Sequence, residues 1–203
     1  PSKFYCNFKV HKETNHDNIP PVRPIISGSG SITENMSLYV EHYITESSVK
    51  HPSYLQDTPH FLRVLHKLNS GPKLSEKSML VTADITGAYA NIPHEDGSQC
   101  LFEVLEERQD KSIPSEFLVE LMDLIQQYNI FEFHDGQLWK QIYGVAMGIH
   151  PAPSFANIYL ARRMDKEIIR LANKYENSEA FKLLKRFLDD LFHTFTGTSN
   201  QLH

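Results

Sequence analysis

Two adjacent acids, Asp189 and Asp190, interrupt an apolar segment that has Phe187-Leu188 on one side and Leu191-Phe192 on the other. A buried carboxylate without a partner is costly, so such a segment must present its acids to something that compensates their charge. On a regular strand neighbouring side chains point to opposite faces, and a tight turn is needed to bring both to one site. The pattern therefore predicts a β-hairpin with the two acids at its bend.

A third acid ends another apolar run. The run from Ser78 to Ile85 is typical of a buried central strand, with Asp84 at its exit. Convergence of three carboxylates would raise the pKa of one of them unless divalent cations neutralise the group. Mg²⁺ suits hard oxygen ligands and substrate phosphates, and two such ions about 3.5–4 Å apart can stabilise both oxygens of a phosphoryl displacement. This predicts nucleotidyl transfer, although an Asp-Asp pair alone is equally typical of a turn with solvated acids.

The composition limits what else the chain can be. With 203 residues, 40% apolar and 22% charged, it has the balance of one globular unit, and no apolar run is long enough for a membrane span. Cys6 and Cys100 stand far apart in unlike contexts, so we expect reduced thiols and an intracellular protein. The net charge of -5 argues against nucleic-acid binding, although acids concentrated at a metal site would account for part of it.

Hydrophobic periodicity and turn signals predict an α+β fold in which a mostly antiparallel sheet packs on helices, with a small β-lobe in front. Thr58-Pro59 is expected to cap and start one helix, and Asp135-Gly136 to form a hairpin turn. The predicted strands are 3–10, 22–27, 78–85, 130–134 and 137–143, and the predicted helices are 34–49, 58–68, 94–108, 114–128 and a long one from 154.

Three ordered segments resemble the conserved motifs of reverse transcriptases. Val81–Pro93 resembles motif A, and Gly144–Asn157 resembles motif B. Arg186–Asp190 resembles motif C, which usually has Tyr at the position of Phe187. The order and spacing match over nearly the whole chain, which is far more specific than any single motif.

The N-terminal part resembles one particular subgroup of reverse transcriptases. Phe8–Lys12 and Val22–Ser27 look like the fingers motifs of Penelope-like element reverse transcriptases, relatives of the telomerase catalytic subunit. That subgroup commonly has Pro at the position of Phe8. The resemblance implies a right-hand polymerase with fingers at 1–75, a palm at 76–203, and a thumb that is absent from this stretch.

The function implied by the resemblance is RNA-directed DNA synthesis by a retrotransposon enzyme. The expected partners are an RNA template, a DNA primer and deoxynucleoside triphosphates, with no membrane and an unspecified oligomeric state. The expected cofactor is Mg²⁺, as two ions that Mn²⁺ could replace, and the expected location is the nucleus. Two alternatives stay open: a catalytically inactive, truncated nucleic-acid-binding remnant, and the palm of an RNA-dependent RNA polymerase.

The resemblance also assigns roles at the metal site. Asp84 and Asp189 would bind both ions, Ile85 would lend its backbone carbonyl, and Asp190 would support the site or the primer end. Tyr89 would be the steric gate that rejects a 2′-hydroxyl, although a plain core aromatic is the other interpretation.

Nucleotide binding is assigned to four further residues. Lys9 and Arg23 would hold the triphosphate, because a guanidinium makes bidentate phosphate contacts and a lysine supplies a point charge. Met147 and Gly148 would lie against the templating pair and the incoming base. His150 and Asn157 receive no role. A zinc site is weakly suggested by the spacing of three residues, Cys6, His11 and His16.

Overall fold

The computed structural model describes residues 1–10, 12–14, 17–174 and 183–196. His11 of the fingers-like motif lies outside these ranges, and so does His16 of the weak zinc pattern. Among the described residues, seven strands form two sheets, and helices cover them. The α+β class, with mostly antiparallel pairing, is confirmed. No helix in these ranges combines the length and apolarity that crossing a bilayer requires.

The elements follow the predicted order closely. The strands are β1 Ser2–Phe8, β2 Val22–Ser27, β3 Ser78–Asp84, β4 Ile130–Glu132, β5 Leu138–Lys140, β6 Leu184–Phe187 and β7 Asp190–Thr196. The helices are α1 Glu34–Ser48, α2 Thr58–Ser70, α3 His94–Glu106, α4 Ser115–Gln127, α5 Ala152–Leu160 and α6 Lys166–Lys174.

Two short helical turns complete the chain. Residues Tyr89–Asn91 form a 3₁₀ turn after β3, and Ala161–Asp165 form a π-helical turn that joins α5 to α6. The predicted long helix from residue 154 is therefore present, but a π-helical turn interrupts it. Periodicity alone did not indicate this interruption.

The first sheet has the order β2-β1-β4-β5. Strands β1 and β2 pair antiparallel, with Asn7 opposite Arg23, whereas β1 and β4 pair parallel, with Ser2 opposite Phe131. This sheet thus joins strands from both of the predicted ranges, 1–75 and 76–203. The division at residue 75 stays a prediction.

The second sheet, β3-β7-β6, is antiparallel throughout and carries the acids. The prediction of a buried central strand at β3 is wrong, because β3 lies at the edge of this sheet and Leu80 is 64% exposed. The strand itself is confirmed. An apolar run predicts the strand, but it does not say how many neighbours will cover it.

The core lies between helices α1, α3, α4 and α5, which pack against one another. Gly97 of α3 faces the Phe155 ring so closely that a Cβ atom there would lie 2.6 Å from it. Helix α2 begins as predicted, but Asp57 rather than Thr58 is its N-cap, and it accepts a hydrogen bond from the His60 N–H. The most deeply buried core side chains include Val40, Ile44, Leu101, Leu105, Leu118, Met122, Phe155 and Ile158.

Candidate active site

The hairpin of β6 and β7 is present, with Leu188 and Asp189 as its two turn residues. Phe187 and Asp190 form the last strand pair before the turn, so Asp190 is the first residue of β7. Leu188 has a φ of 53°, in the left-handed region that a branched residue rarely adopts without support from its surroundings. The predicted hairpin with acids at its bend is therefore confirmed.

The three predicted acids lie at one end of the second sheet. Asp84 and Asp190 are direct cross-strand partners in the pairing of β3 with β7. One residue further, the Ile85 N–H donates a hydrogen bond to the Asp189 carbonyl oxygen over 2.9 Å. The backbone itself therefore places Asp84 beside both hairpin acids. A metal-ligand role for the Ile85 carbonyl stays a prediction.

The electrostatics of this group follow from burial and like charge. Burial raises the pKa of Asp190, and the charges of Asp189 and Asp84 raise that pKa further. An added cation would relieve this repulsion, and carboxylate oxygens are suitable ligands for Mg²⁺. Within the described residues, however, no three His, Cys, Asp or Glu side chains already stand in a metal-binding arrangement. Substrate phosphate oxygens would have to complete any such site.

A cleft of about 740 Å³ opens beside the acids. Asp84 and Asp190 line it together with Leu80, Phe61 of α2 and Phe192 of β7. The two phenylalanine rings meet edge to face, with their centroids 5.0 Å apart. The acids therefore border an open, partly apolar cavity.

Tyr89 lies within electrostatic reach of Asp189. Burial raises the pKa of the Tyr89 hydroxyl to about 12, and the charge of Asp189 adds to this shift. The tyrosine is therefore neutral at physiological pH, with its ring half-buried. Its carbonyl oxygen accepts a hydrogen bond from the Val145 N–H over 2.8 Å, which ties the 3₁₀ turn to the segment that resembles motif B.

Met147 and Gly148 lie on the loop before α5, and this loop is bonded to β2. The Ile26 N–H donates to the Met147 carbonyl over 2.9 Å, and the Gly28 N–H donates to the Gly148 carbonyl over 2.8 Å. Gly148 has a φ of 125°, and a Cβ atom there would lie 2.5 Å from the Ile26 carbonyl oxygen. Only glycine fits this crossing of two backbones.

Arg23 lies on β2 of the first sheet, and Lys9 directly follows β1. Arg23 is exposed on β2, three residues before the Ile26 that bonds Met147. The Lys9 N–H donates to the Pro21 carbonyl over 2.7 Å, just beyond the last β1–β2 pair. Arg23 is therefore on the strand that is bonded to the motif B loop, Lys9 is bonded to the residue before that strand, and their binding of a triphosphate stays a prediction.

Sequence reasoning missed a buried network behind the hairpin. Arg186, only 1% exposed, donates to both carboxylate oxygens of Asp165 at 3.1–3.2 Å and to the Asn157 Oδ1 over 2.9 Å. It also donates to the Leu188 carbonyl over 3.1 Å, and the Ser53 hydroxyl donates to Asp165. The network therefore holds the strained turn residue and gives Asn157 a structural role. The available signal was an arginine between Lys185 and Phe187, directly before the hairpin turn.

The same arginine joins the hairpin to the chain before α2. The Arg186 N–H donates to the Ser53 carbonyl over 2.7 Å, and the Leu55 N–H donates to the Arg186 carbonyl over 2.9 Å. Residues 53–55 therefore cover the β6 edge of the second sheet. The carboxylate end of the hairpin is held from this side by backbone as well as by side chains.

Gly144 offers a test of the contact between the motif A and motif B segments. A Cβ atom at Gly144 would lie 2.5 Å from the Ala90 carbonyl oxygen, and the residue has a φ of 72°. Gly30 has the same φ with no atom within 4 Å of its Cβ position, so it is a matched control. We expect Gly30→Ala to cost about 1–2 kcal/mol from φ alone and Gly144→Ala to cost about 1–3 kcal/mol more, measured by urea unfolding. Equal losses would show that the Ala90 contact is unimportant.

No family model and no curated protein matches the chain. Several solved structures, in contrast, do match the chain. The chain is similar to apo telomerase from Candida tropicalis truncated from its C-terminal domain, with 14% identity and a TM-score of 0.64 over 99% of this chain and 44% of that one. It is similar to C. tropicalis telomerase in complex with a fragment of telomeric RNA, with 14% identity and a TM-score of 0.65 over 98% and 36% of the two chains.

A viral enzyme is equally similar. The BmCPV RNA-dependent RNA polymerase in its quiescent state matches with 12% identity and a TM-score of 0.64 over 100% of this chain and 19% of that one. The fold is polymerase-like. At these identities the likeness shows the fold alone, and the chain spans less than half the length of each of these polymerases.

Proposed function

We propose that this chain is the catalytic core of an RNA-directed DNA polymerase, with fingers at 1–75 and a palm at 76–203. One observation carries the proposal: Asp84 and Asp190 are cross-strand partners, and Asp189 is bonded through its carbonyl to the residue after Asp84. Three acids fixed at one sheet end, inside a polymerase-like fold, form a suitable donor set for nucleotidyl transfer. The tyrosine beside them supports the choice of deoxynucleotides.

Each site residue has a proposed part in the reaction. Asp84 and Asp189, with the Ile85 carbonyl, would hold two Mg²⁺ ions, and Asp190 would support the site. Bound Mg²⁺ supplies charge stabilisation at the attacking and leaving oxygens of the phosphoryl transfer. The carboxylates orient the primer end against the nucleotide, which is the positioning that phosphoryl transfer requires.

The remaining residues bind the nucleotide. Arg23 on β2 and Lys9 just after β1 bind the triphosphate, and Tyr89 excludes a 2′-hydroxyl. Met147 and Gly148 contact the base of the incoming nucleotide. They lie on a loop that is bonded through the Met147 carbonyl to β2, the strand that carries Arg23. The resemblance to Penelope-like elements further suggests a retrotransposon source, an RNA template, a DNA primer and a nuclear location.

Primer extension tests the proposal directly. The native chain is incubated with poly(rA)/oligo(dT), labelled dTTP and Mg²⁺ or Mn²⁺, and we expect extension that EDTA abolishes. Because the chain is shorter than the similar polymerases, Mn²⁺ binding is measured in parallel by electron paramagnetic resonance. Absence of both extension and Mn²⁺ binding would contradict the proposal and favour an inactive nucleic-acid-binding remnant.

The second candidate is an RNA-dependent RNA polymerase, favoured by the similarity to the BmCPV enzyme. The two candidates differ in nucleotide choice. A chain that incorporates UTP in preference to dTTP on the same template would be an RNA polymerase.

A variant of Tyr89 tests the choice between deoxynucleotides and ribonucleotides. We expect Tyr89→Ala to reduce discrimination against ribonucleotides by on the order of 10- to 100-fold, because the half-buried ring no longer fills the space beneath the sugar. The measurement is the ratio of kcat/KM for dTTP and UTP. Tyr128→Ala is the control, since this exposed tyrosine follows α4 and its loss should leave the ratio unchanged. An unchanged ratio in Tyr89→Ala would assign the ring to packing alone.

A further inference from the structure

A smaller cleft, of about 250 Å³, lies between the end of α1, the end of α3 and the start of α6. None of the three site carboxylates lines it. We call it the rear cleft. Its polar and charged lining includes Lys50, His51, Glu107, Arg108, Arg162, Asp165 and Lys166.

Positive charge dominates this lining. Its two acids are already engaged, because Glu107 pairs with the Arg162 Nη2 and Asp165 pairs with Arg186. Arg108, by contrast, donates to the carbonyl oxygens of Leu105 and Ile113, which carry no formal charge. Lys50 is paired as well, with Glu46 outside the cleft, so the excess of cations over acids in the rear cleft rests on Arg108 and Lys166.

Two nitrogen atoms in the rear cleft have unused hydrogen-bonding capacity. The Arg162 Nε and the His51 Nε2 are buried without a hydrogen-bond partner among the described residues. The Arg162 side chain is only 10% exposed, so water does not readily replace the missing acceptor. A buried donor without an acceptor is unfavourable, and an acceptor-rich anion would satisfy both nitrogens if His51 carries its proton on Nε2.

We propose that the rear cleft binds a phosphate group, either as free phosphate or as the terminal phosphate of a nucleic acid. A phosphate oxygen is a strong acceptor for a guanidinium Nε–H, and Lys166 at the start of α6 and Arg108 just after α3 add charge. The volume is below that of sites for drug-sized ligands, which favours one phosphate group over a whole nucleotide. This proposal does not depend on the polymerase function.

The rear cleft lies beside the buried network of Arg186 and Asp165 that supports the hairpin. Asp165 lines the cleft and also accepts hydrogen bonds from Arg186, whose Nη1 donates to the hairpin carbonyl of Leu188. A phosphate bound beside Arg162 would therefore lie next to the buried network that supports the hairpin.

Titration with inorganic phosphate tests the proposal. The Nε–H resonance of Arg162 is followed in ¹H–¹⁵N spectra of the full chain, against sodium chloride at matched ionic strength. We expect a saturable shift with phosphate and none with chloride. A shift that is the same in chloride, or that does not saturate, would overturn the proposal.

Substitutions in the rear cleft test which residues bind the phosphate. Arg162→Gln is expected to weaken phosphate binding by about tenfold or more, because one charge-assisted hydrogen bond is lost. Lys166→Gln, an exposed position that leaves the fold intact, should weaken binding several-fold by isothermal titration calorimetry, and the exposed control Arg63→Gln should bind as the native chain does. Native affinity in both Arg162→Gln and Lys166→Gln would refute the proposed location.

Oligonucleotide binding distinguishes free phosphate from the terminal phosphate of a nucleic acid as the ligand. If a 5′-phosphorylated oligonucleotide binds more tightly than its 5′-hydroxyl counterpart, and Arg162→Gln removes the difference, the ligand is a nucleic-acid end. If the two bind equally while inorganic phosphate still shifts Arg162, the ligand is free phosphate.

Discussion

Replacing Asp189 by asparagine is expected to reduce primer extension by at least about 10²-fold while the fold is retained. The side chain is at the hairpin turn, where its carbonyl, and not its carboxylate, bonds the Ile85 N–H. The backbone contact therefore survives the substitution, and only the charge is lost. Single-turnover extension with saturating Mn²⁺ separates this loss from weaker metal binding.

The unfolding temperature of Asp189→Asn, in contrast to its activity, should rise or remain unchanged. Asp189 is one of the two like charges that raise the pKa of Asp190, so its neutralisation removes repulsion in the folded state. Asp135→Asn is the matched control, because Asp135 also occupies a hairpin turn, where its Oδ1 accepts from the Gln137 N–H. We expect native activity in this control. Full activity in Asp189→Asn would exclude the proposed metal site.

Removing one partner of the Arg186–Asp165 pair is expected to produce the largest loss of stability, about 3–5 kcal/mol. Both side chains are almost fully buried, so Arg186→Met leaves Asp165 with an uncompensated charge in the interior. For a chain of this size the unfolding temperature should fall by about 10 °C. The strained Leu188 also loses the donor to its carbonyl, so extension activity should fall further than the remaining folded fraction explains.

Two controls separate charge burial from packing. Arg170→Met breaks an exposed pair with Glu167 one helical turn away, and it should cost less than about 0.5 kcal/mol. The double variant Arg186→Met/Asp165→Leu removes both buried charges, and it should recover much of the stability of the single variant. It should not recover activity, because Leu188 remains unsupported. Equal losses in the single and double variants would contradict this account.

Local patterns were sufficient for most elements of the fold. Val22–Ser27 was predicted to the residue because prolines before it and Gly28 after it bound a short segment that carries Val22, Ile25 and Ile26. The cap of α2 was displaced by one residue, since Asp57 and Thr58 are both good N-caps and only the hydrogen bond to His60 distinguishes them. The exposure of β3 depended on the neighbours that a strand has in the sheet, which its own residues do not specify.

The site could be predicted only where its residues are close in the sequence or share a familiar motif. Asp189 and Asp190 were recognisable because they interrupt an apolar segment, and Asp84 because it ends another apolar run; the motif resemblance then assigned their roles. The buried network could not be found in this way. Ser53 and Asp165 belong to segments far apart in the sequence, and each is an ordinary polar residue until Arg186 brings them together.

The connectivity of the second sheet determines when during folding the acids can meet. Strand β3 pairs with β7, although helices α3 to α6 lie between them in the chain. Helix pairs such as α3 and α4 depend on nearer contacts and can form earlier, whereas the β3–β7 closure has to overcome the entropy of a long loop. We therefore expect Asp84 and Asp190 to come together only after most of the core has formed. Affinity for a divalent cation would accordingly be acquired at the end of folding, and a partly synthesised or misfolded chain would lack it.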